Sequence, residues 1–293
     1  MAGPTGVGKT ALALALAERL DAEIVGADAY QIYAGMPVLT AQPTAEERQR
    51  EPHHLVGCIP PAESFDAQRY ADLARPILAD IVARGKRALV VGGTGLYFRA
   101  LISGFAPTPP PNLTRRTELD ALELPELVEI LRRTDPAAPA LVDLQNRRRV
   151  VRAIEIVEGS GRPLADFRQT PPASAPGWLL VRERDELRQR IAQNVQAMFS
   201  NGVVEEVRSL GDTVGPTASR AIGWREIQAL LRGELTHPEA EAAIITATQQ
   251  YAKRQLTWFR HQTTFRSLDL TANRHPSDAV PGALRALNEP DAS

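Results

Sequence analysis

The segment Gly3-Pro4-Thr5-Gly6-Val7-Gly8-Lys9-Thr10 has the residue types and spacing of a loop that cradles phosphate. Its glycines let backbone amides turn toward phosphate oxygens. Lys9 adds a cation, and the Thr10 hydroxyl is a ligand for Mg²⁺. The Ala- and Leu-rich stretch that follows, Lys9 to Leu20, reads as a helix whose N-terminal partial charge would fall on the same anion. Such a loop shows only that a polyphosphate is bound, because kinases, nucleoside triphosphatases and group transferases share it.

Asp28 ends the apolar run Glu23 to Ala27. In an open α/β sheet the strand ends on that side line the ligand crevice, so Asp28 is expected to face the bound phosphates. The bland alternative is a turn or cap residue. Thr94 follows a second apolar run, Ala88 to Val91, and the pair Gly92-Gly93. It too has a plain reading as a strand-end turn residue. Arg147, Arg148, Arg149 and Arg152 form the densest basic cluster. Either it meets phosphates, or it is a solvated helix face with ion pairs, Glu155 included. Tyr30, Tyr33, Tyr97 and Trp224 are aromatic candidates for stacking on a base, against the ordinary reading of core aromatics.

The elements that must position these groups alternate between strand and helix. Asp66 to Gly85 has helical spacing, and the two apolar runs read as buried strands of a parallel sheet. Pro107 to Asn112 continues neither helix nor central strand, and reads as a linker. Leu113 to about Ser174 looks mainly helical, with a second break at Pro171-Pro172. Trp178 to Val181 is strand-like again. Helices are expected at Asp185 to Ser200, Val203 to Leu210, Ile222 to Leu231 and Pro238 to about Phe259. The stretch after His275 is polar and expected to be loosely held. The fold class is thus α/β: a parallel sheet flanked by helices, like that of P-loop nucleoside triphosphatases, formed by residues 1–110 and 176–293. A mainly helical domain of residues 111–175 would be inserted into it. Only Met1 and Ala2 precede the loop, where a buried strand normally stands. A truncated start with unpaired sheet edges is expected.

The chain has 293 residues, 43% hydrophobic and 24% charged, with a formal net charge of −1. That balance excludes a wholly basic nucleic-acid binder and makes any RNA surface local. The one cysteine, Cys58, forms no internal disulfide and no cysteine-rich zinc motif, which fits a reducing cytoplasm. No signal peptide and no apolar run long enough to span a bilayer are seen, so no membrane partner is expected.

Several motifs together resemble one family in order along almost the whole chain. Asp28-x-x-Gln31-x-Tyr33-x-Gly35-Met36 with Thr40-Ala41, the loop before it, and Gly92-Gly93-Thr94-Gly95-Leu96-Tyr97 resemble three motifs of tRNA dimethylallyltransferases. The resemblance continues through Pro52-His53-His54-Leu55, Arg149-Val150-Val151-Arg152-Ala153-Ile154-Glu155, Ile222-Gly223-Trp224-Arg225-Glu226 and Ala252 to Arg260. It implies the bacterial type without a zinc finger. It also implies transfer of a dimethylallyl group from dimethylallyl diphosphate to the exocyclic amine of an adenine beside the anticodon of tRNA. Mg²⁺ is the implied cofactor, and a monomer is expected.

The resemblance further implies roles. Gly3, Pro4, Thr5, Gly6, Val7, Gly8, Lys9 and Thr10 would bind the diphosphate, with Thr10 on the metal. Asp28 would be the general base that takes the amine proton, and Thr94 would act on the diphosphate or the transition state. The tRNA contacts would be Asp28, Ala29, Tyr30, Gln31, Thr94, Arg116, Arg148, Arg149, Val150, Val151 and Arg152. Lys253, Arg254 and Arg260 form a second basic strip. The target base would be flipped out of its stack into the pocket. The chain departs from the family pattern at Ala29, Gln42, Gln249, Asn112, Asn146 and Val56-Gly57-Cys58. Lost cations are expected to weaken donor or tRNA binding. Two rivals stay open: a kinase, although Ala88 to Val91 does not end in a metal-binding Asp, and an RNA-binding protein that kept the loop as a scaffold.

Overall fold

The computed structural model describes residues 1–167, 175–271 and 275–288. The chain divides into two compact units, residues 1–103 with 173–293, and residues 104–172. The break expected at Pro171-Pro172 lies outside the described residues.

The first unit opens with α1 (Lys9–Leu20), capped by Gly8 at φ 108, a left-handed conformation that suits a residue without Cβ. Leu12, Ala13, Leu16 and Ala17 bury one side of this helix. β1 (Ala22–Gly26) is buried along its whole length, as a parallel strand covered on both faces must be. There follow α2 (Ala45–Arg50), β2 (His53–His54), α3 (Ala67–Ala83), β3 (Arg87–Val91) and α4 (Gly95–Ile102). β1 pairs in parallel with β2 at Ile24↔His53 and with β3 from Ala22↔Arg87 to Gly26↔Val91. The Pro52-His53-His54 motif therefore builds this sheet. His54 Nε2 lies 2.8 Å from the buried Glu23 carboxylate, which the Arg84 guanidinium holds down to a pKa of about 2.

The second unit holds α5 (Leu113–Asp120), α6 (Leu124–Thr134) and α7 (Arg147–Ser160) around Leu119, Leu127, Leu131, Val150 and Ile154. Asn112 and Asn146, both departures from the family pattern, are N-caps. Their side chains accept from the amides of Arg115 and Arg149. An N-cap oxygen supports a helix by about 0.5–2 kcal/mol, so these positions are structural here.

The chain returns to the first unit with β4 (Trp178–Val181), α8 (Arg184–Ser200), α9 (Val203–Leu210), α10 (Trp224–Leu231), α11 (His237–Gln262), β5 (Arg266–Asp269) and α12 (Val280–Asn288). β4 pairs in parallel with β5. The sheet edges expected to stand unpaired beside the loop are filled. Ala2 bridges Gly92 on one side and Leu179 on the other, donating to Trp178 O at 2.8 Å and accepting from Leu180 N at 2.8 Å. The stretch after His275 is also corrected: Val280 and Ala283 are buried against α1 residues, so it carries a docked helix.

The Gly92-Gly93-Thr94 turn has a packing cause. A Cβ on Gly92 would stand 2.0 Å from Ala27 O, where the ends of β1 and β3 meet. Gly92→Ala must push backbone against backbone. The expected loss is at or above the upper end of the roughly 1–3 kcal/mol typical of overpacking, read as a lower urea midpoint. Gly282→Ala is the control, because its Cβ would meet open space in α12. Equal midpoints for Gly92→Ala and wild type would show that the two strand ends can part.

Candidate functional site

A cavity of about 940 Å³ opens in the first unit, with Gly6, Lys9 and Thr10 on one wall and Asp28, Tyr251 and Arg190 on others. The start of α1 supplies its donors. The amides of Gly6, Gly8, Lys9 and Thr10 have no protein acceptor among the described residues, as the first turn of a helix dictates. Thr5 N is committed, donating to Gln255 Oε1 at 2.9 Å. Lys9 Nζ folds over its own loop onto Gly3 O at 3.0 Å and Pro4 O at 2.9 Å. Burial pulls its pKa down to about 8, and the Asp28 charge opposes that shift. The loop is braced from outside by Arg182 Nε on Val7 O and Arg190 Nε on Gly6 O.

Asp28 combines both readings open to it. Oδ1 accepts from Tyr30 N at 3.0 Å and Gln31 N at 3.3 Å, which is an Asx turn. None of the hydrogen bonds of the described residues uses Oδ2, and the residue lines the cavity. Thr94 precedes α4 without capping it. Its Oγ1 instead accepts from Ala29 N at 2.9 Å, so β3's exit is tied to the Asp28 turn. Gln31 Nε2 is spent on Thr40 O and Ala41 O. Tyr33, Tyr97 and Trp224 are buried core residues, Tyr97 stacking on Tyr70 at 4.1 Å. Of the four aromatic candidates, Tyr30 lines the cavity.

The side chains of the basic cluster have different surroundings. Val150 and Val151 are 0% and 5% exposed, so their side chains pack in the core of the helical unit. Arg152 donates to Thr108 Oγ1 and Pro109 O and pairs with the buried Glu155. Arg116 reaches that same carboxylate at 2.6 Å. Their guanidiniums neutralise an acid inside the helical unit. Arg149 differs: it is exposed, and its ion pair with Asp143 is long at 3.5 Å. Arg148 is engaged within the protein as well.

Sequence reasoning missed Arg48, Arg190, Tyr251 and Gln255. Gln42 donates to Gln31 O and Tyr33 O and accepts from Arg48 at 2.8 Å. Arg48 lines the cavity, so a cation stands beside the position where loss of charge was expected. The helical spacing of Leu187, Arg190, Ile191 and Asn194 was a usable signal for Arg190, since it puts them on one face of α8. Burial and the neighbouring Arg182 charge both lower the Arg190 pKa from its usual value. Among the described residues no helix is long and apolar enough to cross a membrane, and no group of three His, Cys, Asp or Glu could hold a metal unaided.

Comparison with known proteins gives these groups a context. The family model described as IPP transferase matches residues 31–262. A tRNA dimethylallyltransferase of Akkermansia muciniphila is 42% identical over 97% of this chain and 95% of its own length. That of Thermus thermophilus is 42% identical over 89% of each. The full-length tRNA isopentenylpyrophosphate transferase structure from Bacillus halodurans matches with a TM-score of 0.71 and 35% identity, covering 98% of this chain and 95% of that one. A eukaryotic dimethylallyltransferase acting on tRNA matches at a TM-score of 0.83. At 24% identity that likeness shows the fold alone. With the model spanning most of its length and relatives this similar end to end, the chain belongs to the IPP transferase family.

Proposed function

We propose that this protein transfers a dimethylallyl group from dimethylallyl diphosphate to the exocyclic amine of an adenine next to the anticodon of tRNA, releasing diphosphate. The observation that carries the reading is a single cavity holding both a set of free loop amides with Lys9 and, opposite them, the Asp28 carboxylate. The first is a phosphate-loop cradle of the nucleoside triphosphatase type; the second is a base. The donor's C–O bond breaks as the N–C bond forms. The electron pair leaves on the diphosphate oxygen, and the amine proton goes to Asp28 Oδ2. The loop amides, Lys9 and Arg190 oppose the charge that grows on the leaving oxygen. Relatives named for the same transfer support this assignment of donor and acceptor.

Mg²⁺ fits the donor set. Thr10 and Asp28 offer hard oxygens in the cavity, and Mg²⁺ takes most of its remaining ligands from phosphate and water. Thr10 would hold it, and when bound it supplies charge neutralisation on the diphosphate. The helical unit, residues 104–172, is the inserted tRNA-binding part in this reading. Mass spectrometry of nucleosides from tRNA incubated with protein, dimethylallyl diphosphate and Mg²⁺ tests the proposal. A heavier adenosine is expected. ATP consumption, or tRNA retained without modification, would overturn it.

Arg149 separates from its neighbours here. Arg149→Ala is expected to weaken tRNA binding and to flatten the slope of log affinity against log salt by roughly 0.7–0.9, one released counterion. Donor binding should not change. Arg152→Ala should instead lower thermal stability, since it strips a partner from buried Glu155. Identical salt slopes in wild type and Arg149→Ala would place Arg149 away from RNA.

A further inference from the structure

We propose that the Tyr251 phenol is a further catalytic residue, donating its hydrogen bond to the diphosphate oxygen that departs. The proposal rests on the transfer reading above, and it starts from Gln255. That side chain is 5% exposed and reaches from α11 to two backbone groups, accepting from Thr5 N at 2.9 Å and donating to Gly93 O at 3.0 Å. The two contacts fix the amide's orientation, because a flipped amide would set donor against donor and acceptor against acceptor. Gly93 makes the contact possible: a Cβ there would lie 2.2 Å from Gln255 Nε2. One Nε2 hydrogen remains.

One helical turn earlier on α11, Tyr251 lies near Gln255 and Thr94 and lines the same cavity as Lys9 and Asp28. Thr94 Oγ1 already accepts from Ala29 N, so its own hydrogen is available to donate. Thr94 and Gln255 are thus the neighbouring groups with a hydrogen to offer toward the Tyr251 oxygen. None of the hydrogen bonds of the described residues uses the Tyr251 O–H, and Tyr251 lines the cavity. Burial and the nearby Asp28 charge both raise its pKa, so the phenol stays protonated as a donor. Gln255 places this donor one side chain from the loop amide of Thr5, and Asp28 lies within its electrostatic reach. The carbon in transit must lie between the leaving oxygen on the loop side and the attacking amine beside Asp28.

Tyr251→Phe removes the donor and keeps the ring. Removing one preorganised donor to a developing oxyanion costs about 10²–10³ in rate. The single-turnover rate should fall by that order at saturating donor and tRNA, with an unchanged urea midpoint. Because the bond is strongest to the fully charged product, calorimetry should show inorganic diphosphate with Mg²⁺ binding about ten- to a hundredfold more weakly. The uncleaved donor should lose less affinity. A Tyr251→Phe rate within threefold of wild type, with unchanged diphosphate affinity, would overturn the proposal. If wild type transfers nothing, the transfer reading fails. The diphosphate arm then still decides whether Tyr251 faces that anion.

Discussion

Asp28→Asn is expected to keep the fold and both substrates bound while the single-turnover rate falls by about 10²–10⁴, the usual share of general base catalysis. The geometry favours this substitution as a clean probe. Oδ1 of Asp28 holds the Asx turn through Tyr30 N and Gln31 N. The amide oxygen of Asn can accept the same two bonds. What Asn cannot do is take a proton through its other atom near neutral pH. A base role and a turn role therefore separate: the turn survives and the chemistry does not. If Asp28 acts mainly by ordering Mg²⁺, the variant should recover its rate at high Mg²⁺. Single-turnover transfer at saturating donor, tRNA and Mg²⁺ distinguishes them. A rate there within a factor of a few of wild type would remove Asp28 from proton transfer.

Lys9→Ala should weaken diphosphate binding by about 1.5–3 kcal/mol, the worth of a charge-assisted contact. A pH dependence belongs to the same residue. Burial lowers the ammonium of the free protein to a pKa of about 8. Below that pH the lysine is charged in both free and bound states, and diphosphate affinity should not depend on it. As pH rises through that value the free lysine loses its proton. An arriving anion favours the charged form, so affinity should fall and binding should take up a proton. Calorimetry near pH 9 in buffers of different ionisation enthalpy reads that uptake. It should vanish in Lys9→Ala. Equal uptake in the two proteins would assign the proton elsewhere and undo the placement of diphosphate over Lys9.

Local patterns were the legible part of this chain. The Gly3–Thr10 spacing, the apolar runs that became β1, β3 and β4, and the helical spacing of α3, α8 and α9 are all short-range signals. β5 was not legible, because Arg266–Asp269 has no apolar run. α12 was hidden by the Pro and Gly in Val280-Pro281-Gly282. The roles of Gln255 and Tyr251 depend on partners far away in sequence: Thr5 and Gln255 are 250 residues apart. The arginine cluster kept both its readings open for the same reason. Arg116 and Glu155 are 39 residues apart, so composition could not tell an internal counter-ion from a phosphate contact.

Tyr251 and Gln255 stand four positions apart on the same helix, and both their duties depend on its rotational phase. Each residue turns an α-helix by about 100°, so adding one residue upstream within α11 would swing both side chains away from Thr94, Thr5 and Gly93 together. The phase is pinned at the start, where Thr236 and Glu239 close a capping box and Pro238 sits in the first turn. The chain can therefore absorb added length ahead of Thr236. Between Glu239 and Tyr251 it has no such freedom, although several side chains there face solvent.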